Sequence, residues 1–296
     1  MLSRMRLKRA VKGSAGLAAV AASPFVRAST AASGCIFAYH RVADVRFVDA
    51  SLDDWNVSPT RFEQQIAALV ECAEIVRLTD LLGRCRASPP PDRPLVALTF
   101  DDGYANFYTQ VLPILKRYRV PATVFVVTSL VGSEHPPAFD GWSVKHGGRL
   151  DPDAWRPMTW DQLEQCLASG LVTVGGHSHR HLKAPECTPE LLIEEASRSR
   201  EILVSRFGEV ETYAYPYGSS RLGYVPDAYV EAVAAAGYRL AVTYDLGRVT
   251  GQTDPFRMPR IEAHGVDGPA IIRAKALGSL APYRLTDRFR QARRSA

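Results

Sequence analysis

Short apolar runs that end in polar residues recur along the chain, and segments with helical periodicity separate them. Runs of this length are typical of strands buried in a parallel sheet, and helices form the crossovers between such strands. The predicted strands cover residues 35–40, 74–78, 95–100, 122–127, 171–174, 212–215, 240–244 and 258–263. The alternation predicts a single-domain α/β fold without internal repeats, and it fits an open parallel sheet as well as a closed barrel.

Several helix starts are indicated by the polar residues that favour a helix cap. Ser58 precedes Pro59 and Thr188 precedes Pro189, and proline is well tolerated in the first turn of a helix. Thr79 is predicted to cap a short helix after the second strand. Further helices are predicted at residues 105–118, 161–169 and 227–236.

Positive charge is concentrated at the two ends of the chain. Of a net charge of +5, residues 1–12 contribute +5 and residues 281–296 contribute +4, so the remainder carries −4. The body of the protein therefore offers no basic groove of the kind that binds nucleic acid. Basic ends on a mildly acidic body suit contact with an anionic membrane surface, and the alternative is that both ends are simply solvated.

The N-terminal segment, residues 1–34, combines basic side chains with an alanine-rich stretch. We expect an amphipathic helix on the body or on a membrane, with a weak signal peptide as the alternative. No run reaches the roughly 18 apolar residues of a membrane span. The five scattered cysteines, without a CxxC pair, indicate buried thiols rather than a disulfide framework. The expected location is the cytoplasm or the inner face of the membrane, with secretion or a periplasmic location as the alternative.

The apolar run at residues 95–100 stops at two adjacent carboxylates, Asp101 and Asp102, followed by Gly103. The carboxyl ends of parallel strands are where α/β proteins build their sites. Two neighbouring acids repel each other, and a bound cation removes that cost by taking one as a ligand and leaving the other as a base. The alternative is a helix-capping aspartate beside a solvated neighbour.

Three of the seven histidines follow the predicted strand at residues 171–174 within five positions. His177 and His181 are four residues apart, so on a helical turn both imidazoles would share one face and one metal ion. Asp102 as a third ligand would complete a site of two histidines and one carboxylate, with positions open for water. His179, between the two predicted ligands, is expected to point outward.

Four short motifs resemble those of one enzyme family. TFDDG at residues 99–103 and HSHRH at residues 177–181 resemble the first two motifs of the polysaccharide deacetylases, the NodB homology domain of carbohydrate esterase family 4. YPYG at residues 215–218 resembles the third motif, and YHRV at residues 39–42 resembles the first strand of one branch of the family. The motifs follow the family's order along most of the chain.

The resemblance implies a distorted (β/α) barrel of about seven parallel strands, with residues 35–280 as the catalytic domain and residues 281–296 as a basic tail. It also implies a divalent metal ion, most often zinc. The residues that match the family's metal ligands are Asp102, His177 and His181. Asp101 matches the base, and this division is chemically sound, because a metal lowers the pKa of water while a carboxylate that binds no metal takes the proton.

The third motif matches the family in its backbone donor but lacks a cation. Tyr217 is predicted to donate its N–H to the oxyanion of the reaction, since Pro216 has no N–H to offer. The family commonly has an arginine two residues before this proline, which positions the catalytic carboxylate, whereas this chain has Ala214. Arg260 in the last predicted strand is the candidate that would bind Asp101 instead.

The general acid of the family is a histidine in a late Leu-x-His motif. The nearest match here is Glu262-Ala263-His264, without the leucine, so His264 is the predicted acid. A histidine suits this role because its pKa lies near neutral pH. His40 and His179 are the alternatives.

Residues 129–158 have little periodicity and are predicted to form a long loop. A loop of this length in a compact domain is usually functional. It contains Trp142 and Trp155, whose rings would stack on pyranose rings of a sugar substrate. The alternative is that these aromatic side chains pin the loop to the body of the domain.

The resemblance implies hydrolysis of N-acetyl groups on an acetylated glycan, such as a chitooligosaccharide, an exopolysaccharide or a lipid-linked glycan. The same site would also serve an O-acetyl esterase or a deformylase that acts on a lipid-linked sugar. A rival of another class is a catalytically weak glycan-binding pseudoenzyme, suggested by Ala214 and the imperfect last motif. The intact pairs of aspartates and histidines argue against that rival.

Overall fold

The computed structural model describes residues 33–45 and 55–278. The predictions for the tail at 281–296 and for residues 1–34 lie outside the described residues, except at Ser33 and Gly34. Those two residues open the first strand, which therefore begins before Cys35, where the sequence placed the start of the domain.

All eight predicted strands are present, with ends that differ by no more than three residues from the prediction. The strands are β1 (Ser33–Tyr39), β2 (Arg41–Val42), β3 (Asn56–Val57), β4 (Glu74–Ile75), β5 (Leu95–Phe100), β6 (Ala122–Val126), β7 (Val172–Gly176), β8 (Thr212–Ala214), β9 (Leu240–Leu246), β10 (Val249–Thr250) and β11 (Met258–Glu262). The α-helices are α1 (Pro59–Cys72), α2 (Leu78–Cys85), α3 (Leu112–Tyr118), α4 (Gly141–His146), α5 (Trp160–Ala168), α6 (Pro189–Phe207), α7 (Asp227–Ala235) and α8 (Pro269–Ala276).

Seven of the described strands close into a parallel barrel. Their order is β1, β5, β6, β7, β8, β9 and β11, and β11 pairs with β1 to complete the ring. β1 pairs with β5 over six positions, from Gly34 opposite Leu95 to Tyr39 opposite Phe100. The short strands β4 and β10 extend the sheet at β5 and β1. The barrel implied by the family resemblance is therefore confirmed.

Apolar side chains fill the barrel, so it is a packed core rather than a pore. Ile36, Ala97 and Val242 are fully buried inside it. Helix α2 packs Leu81 into the same cluster, close to Gly34 at the beginning of β1. A larger apolar cluster lies between the strands and the surrounding helices. Because α2 covers the amino ends of the strands, the carboxyl ends are left for a cavity.

Two of the predicted helix caps are confirmed and one is wrong. The Ser58 hydroxyl accepts a hydrogen bond in the first turn of α1, and the Thr188 hydroxyl does the same for α6. Thr79 is not the cap of α2, because this helix begins at Leu78 with Arg77 in the cap position. The second predicted strand is correspondingly shorter, since β4 ends before the helix starts.

The helix predicted after the carboxylate pair begins with a π-helical turn, Phe107–Val111, and continues as α3. Pro113 lies in the first turn of α3, where a missing N–H is tolerated. The wider π turn lets the chain reach this proline without the hydrogen bond that an uninterrupted α-helix would require there. The helix is thus present, but its first turns are not α-helical.

The structure bears on two further predictions, the state of the cysteines and the presence of membrane-spanning helices. All five cysteines are unpaired, and Cys35, Cys85 and Cys166 are buried as expected, while Cys72 and Cys187 are half-buried. Among the residues that the structure describes, no helix combines the length and the apolar character needed to cross a membrane.

Candidate active site

A cavity of about 510 Å³ lies at the carboxyl ends of the barrel strands. Five residues predicted for the site line it, namely Asp101, Asp102, His177, His181 and Tyr217. They follow three different strands, β5, β7 and β8. A parallel barrel delivers the carboxyl ends of all its strands to one face, which brings these distant residues together.

The donor atoms of Asp102, His177 and His181 lie within 4.8 Å of one another, and all three side chains are buried. Asp102 Oδ1 is 3.5 Å from His177 Nε2 and 3.6 Å from His181 Nε2. These separations are long for hydrogen bonds, but two ligands of one tetrahedral zinc-sized ion lie about 3.4 Å apart. Two imidazoles and a carboxylate are also a typical donor set for a divalent transition metal. The triad therefore fits such an ion.

A backbone carbonyl orients the first imidazole. His177 Nδ1 lies 2.8 Å from the carbonyl oxygen of Ala214, so Nδ1 carries the proton and donates it to this oxygen. The lone pair of Nε2 then faces Asp102, which is the arrangement that a metal ligand needs. Ala214, which stands where the family commonly has arginine, thus supports the site through its main chain.

Burial and charge hold His181 and Asp102 in the protonation states that bind a metal. Burial lowers the pKa of His177, but Asp102 and Asp101 outweigh it, so this pKa lies above its usual value. Burial and the neighbouring His177 together lower the pKa of His181 to about 3, although Asp102 and Asp101 oppose them, so His181 is neutral at neutral pH. Burial raises the pKa of Asp102, but the imidazoles of His177, His40 and His181 outweigh it and bring this pKa below its usual value. Asp102 is therefore a carboxylate at neutral pH.

The loop after β7 presents the two histidines without forming a helix. The predicted helical turn is wrong, because Ser178 and His181 adopt left-handed backbone angles, with φ of 62° and 61°. The Ser178 hydroxyl accepts a hydrogen bond from the N–H of His181 at 2.8 Å, which closes the loop. His179 Nδ1 lies 2.9 Å from the hydroxyl of Thr128, and His179 does not line the cavity.

Arg260 binds Asp101 with both arms of its guanidinium. Arg260 Nη1 donates to Asp101 Oδ1 at 2.7 Å and Nη2 donates to Oδ2 at 2.8 Å, and both side chains are buried. Arg260 Nε donates to the carbonyl of Thr243, which fixes the guanidinium. Burial raises the pKa of Asp101, but the charge of Arg260 outweighs it, so this pKa lies below its usual value. Arg260 of β11 thus supplies the positive charge beside Asp101 that an arginine at position 214 commonly supplies in the family.

His264, the predicted acid, does not line the cavity. Its Nε2 lies 2.9 Å from Glu262 Oε2, and its N–H donates to Asp267 in a turn that follows β11. The strand ends at Glu262, so the alternation of β11 does not carry His264 to the cavity. His40 lines the cavity instead, with Nε2 3.7 Å from Asp101 Oδ2.

The sequence of the chain matches a model of one protein family. The model is described as polysaccharide deacetylase, and it covers residues 88–241, which is just over half of the chain. The chain belongs to the polysaccharide deacetylase family. The strands and the cavity described above place the family's motifs at one face of the barrel, as the sequence comparison implies.

Individual relatives agree with the family match. A Staphylococcus aureus protein named poly-beta-1,6-N-acetyl-D-glucosamine N-deacetylase is 26% identical over 245 residues, which cover 75% of this chain and 76% of the relative. The structure of the Streptococcus pyogenes deacetylase PplD is similar to this one, with a TM-score of 0.66 and 21% sequence identity. The similarity covers 81% of this chain and 96% of PplD. The structure of IcaB from Ammonifex degensii has a TM-score of 0.66 and 22% sequence identity, and the similarity covers 83% of this chain and 97% of IcaB. The family supports removal of acetyl groups from a glycan.

The sequence analysis missed several residues in one wall of the cavity, although it predicted a role for the segment at residues 129–158 and for Trp142. The segment predicted as a loop contains the short helix α4, and Phe139, Asp140 and Trp142 from this segment line the cavity together with Arg41 and Tyr104. Their positions in the sequence were the available signal, because Arg41 lies within the YHRV motif and Tyr104 directly follows the TFDDG motif. Trp142 is only 4% exposed, which favours its pinning the segment to the domain.

Proposed function

We propose that the chain is a hydrolase that removes N-acetyl groups from an acetylated glycan, with a zinc ion held by Asp102, His177 and His181. The observation that carries the proposal is the bidentate pair of Arg260 and Asp101 beside this triad in one cavity. A buried ionised carboxylate beside a metal-binding triad supports hydrolysis more strongly than glycan binding alone.

The chain's own residues would move the protons of this reaction. Asp101, kept ionised by Arg260, accepts the proton of the attacking water. His40 is our candidate to protonate the departing nitrogen, since it lines the cavity beside Asp101, whereas His264 does not. The N–H of Tyr217 would stabilise the oxyanion. When bound, the metal would polarise the acyl carbonyl and lower the pKa of water.

We propose poly-β-1,6-linked N-acetylglucosamine as the first substrate to examine, because the Staphylococcus aureus relative is named for this polymer. The half-buried aromatic rings at the cavity support a sugar substrate. Trp55 and Tyr244 lie on one side, near His40, while Phe139 and Tyr217 lie near His181. Such rings stack on the apolar faces of pyranoses, which would orient a sugar chain over the carboxylate pair.

The decisive experiment measures acetate release from β-1,6-linked N-acetylglucosamine oligomers and from chitooligosaccharides. We expect Asp101→Asn to retain zinc and lose activity by at least about a hundredfold, because only the base is removed. We expect His181→Ala to lose both zinc and activity. Asp153→Asn, a change of the same kind in a surface ion pair, should leave both unchanged.

Other outcomes of that experiment identify the alternatives. Release of acetate from O-acetylated sugars, or of formate from formylated lipid-linked sugars, with no release from N-acetylated glycans would favour the esterase or deformylase. A wild-type protein that binds one zinc ion and a glycan, but releases no acyl group from any of these substrates, would be a glycan-binding protein.

We also propose that the two basic ends act together on an anionic membrane surface. Arg248 Nε and Nη2 bind Ser33 at the start of β1, and Nη1 binds the carbonyl of Ala276 at the end of α8, at 2.9 Å. The described chain ends are therefore adjacent, at the end of the barrel opposite the cavity. This supports contact of both basic ends with one membrane surface, which we propose is the inner face, with the cavity turned away from the lipid.

A further inference from the structure

His181 is oriented differently from the other imidazole of the triad. His177 donates Nδ1–H to a backbone carbonyl, whereas Nδ1 of His181 is buried and has no hydrogen-bond partner within the described part of the chain. The second nitrogen of a metal-binding histidine normally has such a partner, which fixes the plane of the ring. Packing must therefore orient the ring of His181.

Phe139 provides the closest packing for this ring. The centroids of the Phe139 and His181 rings are 3.7 Å apart, and their planes differ by only 24°, so the two rings are stacked. Tyr217 touches the imidazole less closely, with centroids 5.0 Å apart and planes inclined by 58°. A parallel stack restricts the tilt of the imidazole. It thereby fixes the plane of the ring, as a hydrogen bond at Nδ1 would do.

Arg41 anchors the segment that carries Phe139. The guanidinium donates to the carboxylate of Asp140, the residue next to Phe139, and to the hydroxyl of Ser143 at 2.8 Å. Its Nε donates to the carbonyl of Ala154 at 2.6 Å, so one side chain binds the segment at Asp140, Ser143 and Ala154. Arg41 is only 2% exposed, which makes this contact costly to break.

Aromatic rings enclose the same guanidinium. Arg41 lies over the ring of Tyr104 at 4.5 Å and over the ring of Trp142 at 4.7 Å. The hydroxyl of Tyr104 donates to Asp140 at 2.8 Å. Tyr104 is two residues from Asp102, so these contacts connect the segment directly to the strand end that supplies the carboxylate ligand. Guanidinium suits this site better than ammonium, because it stacks and forms several directed hydrogen bonds.

We propose that Arg41 and Asp140 form a clamp that positions Phe139 on His181 and thereby orients this imidazole for the metal. Phe139, Arg41 and Asp140 are positioning residues and take no part in proton transfer. The proposal rests on the metal-dependent function proposed above, but it concerns metal binding and can be tested without turnover.

The test measures zinc affinity by titrating metal-free protein in competition with a coloured chelator. Phe139→Ala removes the stacked ring, and Asp140→Asn removes the charge that Arg41 binds while keeping an oxygen that can cap α4. We expect each to weaken zinc binding by about 10- to 100-fold, the usual effect of losing an outer-shell contact. The double variant should be no weaker than Phe139→Ala, because the clamp acts through Phe139.

Two controls separate positioning from general loss of structure. Phe139→Tyr keeps a ring on the imidazole and should bind zinc within about twofold of the wild type. Asp153→Asn breaks an ion pair with Arg156 in the same segment but outside the clamp, and should leave zinc affinity unchanged.

Wild-type zinc affinity in Phe139→Ala would overturn the proposal, even if Asp140→Asn failed to fold. A lower melting temperature with unchanged zinc affinity in Asp140→Asn would reduce the clamp to a structural contact. If the wild type binds zinc but releases no acetate, the proposed function fails while the test of the clamp stands.

Discussion

At the scale of single residues, several residues of the site have backbone conformations that residues other than glycine normally avoid. Asp102, Ser178, His181 and Tyr217 all have φ between 60° and 69°. Non-glycine residues rarely adopt this left-handed region, and such strain persists where surrounding contacts over-determine it, often at functional sites. The next position, 103, requires glycine for two reasons. Its φ is also positive, and a Cβ there would lie 2.8 Å from the side chain of Val126. The catalytic face is thus built partly from strained loops.

The pair of Arg260 and Asp101 makes a prediction about pH. Arg260 depresses the pKa of Asp101, so the base is ionised until the pH falls through this lowered value. In Arg260→Gln this pKa should rise, because the cation that lowers it is gone, so activity should be lost at a higher pH than in the wild type. The acidic limb of the kcat/KM profile measures this shift. Arg260→Lys, which keeps the charge but not the bidentate contact, should shift less.

The same pair contributes to folding. A carboxylate with a depressed pKa stabilises the folded state above its unfolded pKa, and this contribution is lost as the pH falls through the folded pKa. Arg260→Gln leaves a buried carboxylate without its cation, so we expect a loss of about 3–5 kcal/mol at neutral pH in urea unfolding. Unchanged stability and an unchanged acidic limb would show that Arg260 does not support Asp101.

At the scale of elements, a helix and a strand end hold the histidine loop between them. Glu195 of α6 is buried and accepts hydrogen bonds from the N–H and from Nε of Arg180, both at 2.7 Å. On the other side, the N–H of Thr128, just beyond β6, donates to the carbonyl of Ser178. The loop therefore owes its shape to neighbouring elements, which explains why the spacing of its histidines did not predict its conformation.

This arrangement predicts unequal effects for two adjacent glutamates. Glu195→Gln weakens two charge-assisted hydrogen bonds in a buried place, so we expect a loss of about 1–3 kcal/mol of stability and about tenfold weaker zinc binding. Glu194 also binds Arg180, but both side chains are exposed there. Glu194→Gln should therefore cost no more than about 0.5 kcal/mol and leave zinc binding unchanged. Urea unfolding and zinc titration measure both quantities, and equal effects would contradict the assignment.

At the scale of the whole molecule, the two ends of the described chain lie at the end of the barrel opposite the cavity. The cavity lies at the carboxyl ends of the strands, while Arg248 ties Ser33 and Ala276 together at the amino ends. We propose that an anionic surface attracts the basic residues that precede and follow the described chain. A surface that attracted both segments would leave the cavity accessible to a glycan.

Vesicle binding tests the role of the basic ends. We expect the full chain to co-sediment with vesicles that contain anionic phospholipid and to remain in solution with neutral vesicles, since each cation contributes about 1 kcal/mol near such a surface. Replacing the five basic residues of 1–12 by glutamine should weaken binding at least about tenfold, and replacing those of 281–296 as well should abolish it. Binding to neither kind of vesicle, or tighter binding to DNA, would contradict membrane contact. Equal binding to both kinds of vesicle would contradict attraction by the basic residues.

The sequence alone determined the class of fold and the candidate metal-binding triad. Apolar runs and helical periodicity are local properties, so they identified eight strands without any knowledge of their partners. The aspartate pair and the triad were also recognised locally, because each motif follows directly on a strand end. The family resemblance implied the barrel, which the hydrophobic pattern could not distinguish from an open sheet.

Only the tertiary structure decided which residues became neighbours. The barrel closes through β1 and β5, and this pairing brings His40 beside Asp101 while β11 brings Arg260 to the same carboxylate. His264 is excluded because the chain turns after β11. Phe139 reached His181 through a segment without any recognisable pattern. These contacts depend on strand order, turn geometry and packing between residues distant in the chain, which local sequence does not encode.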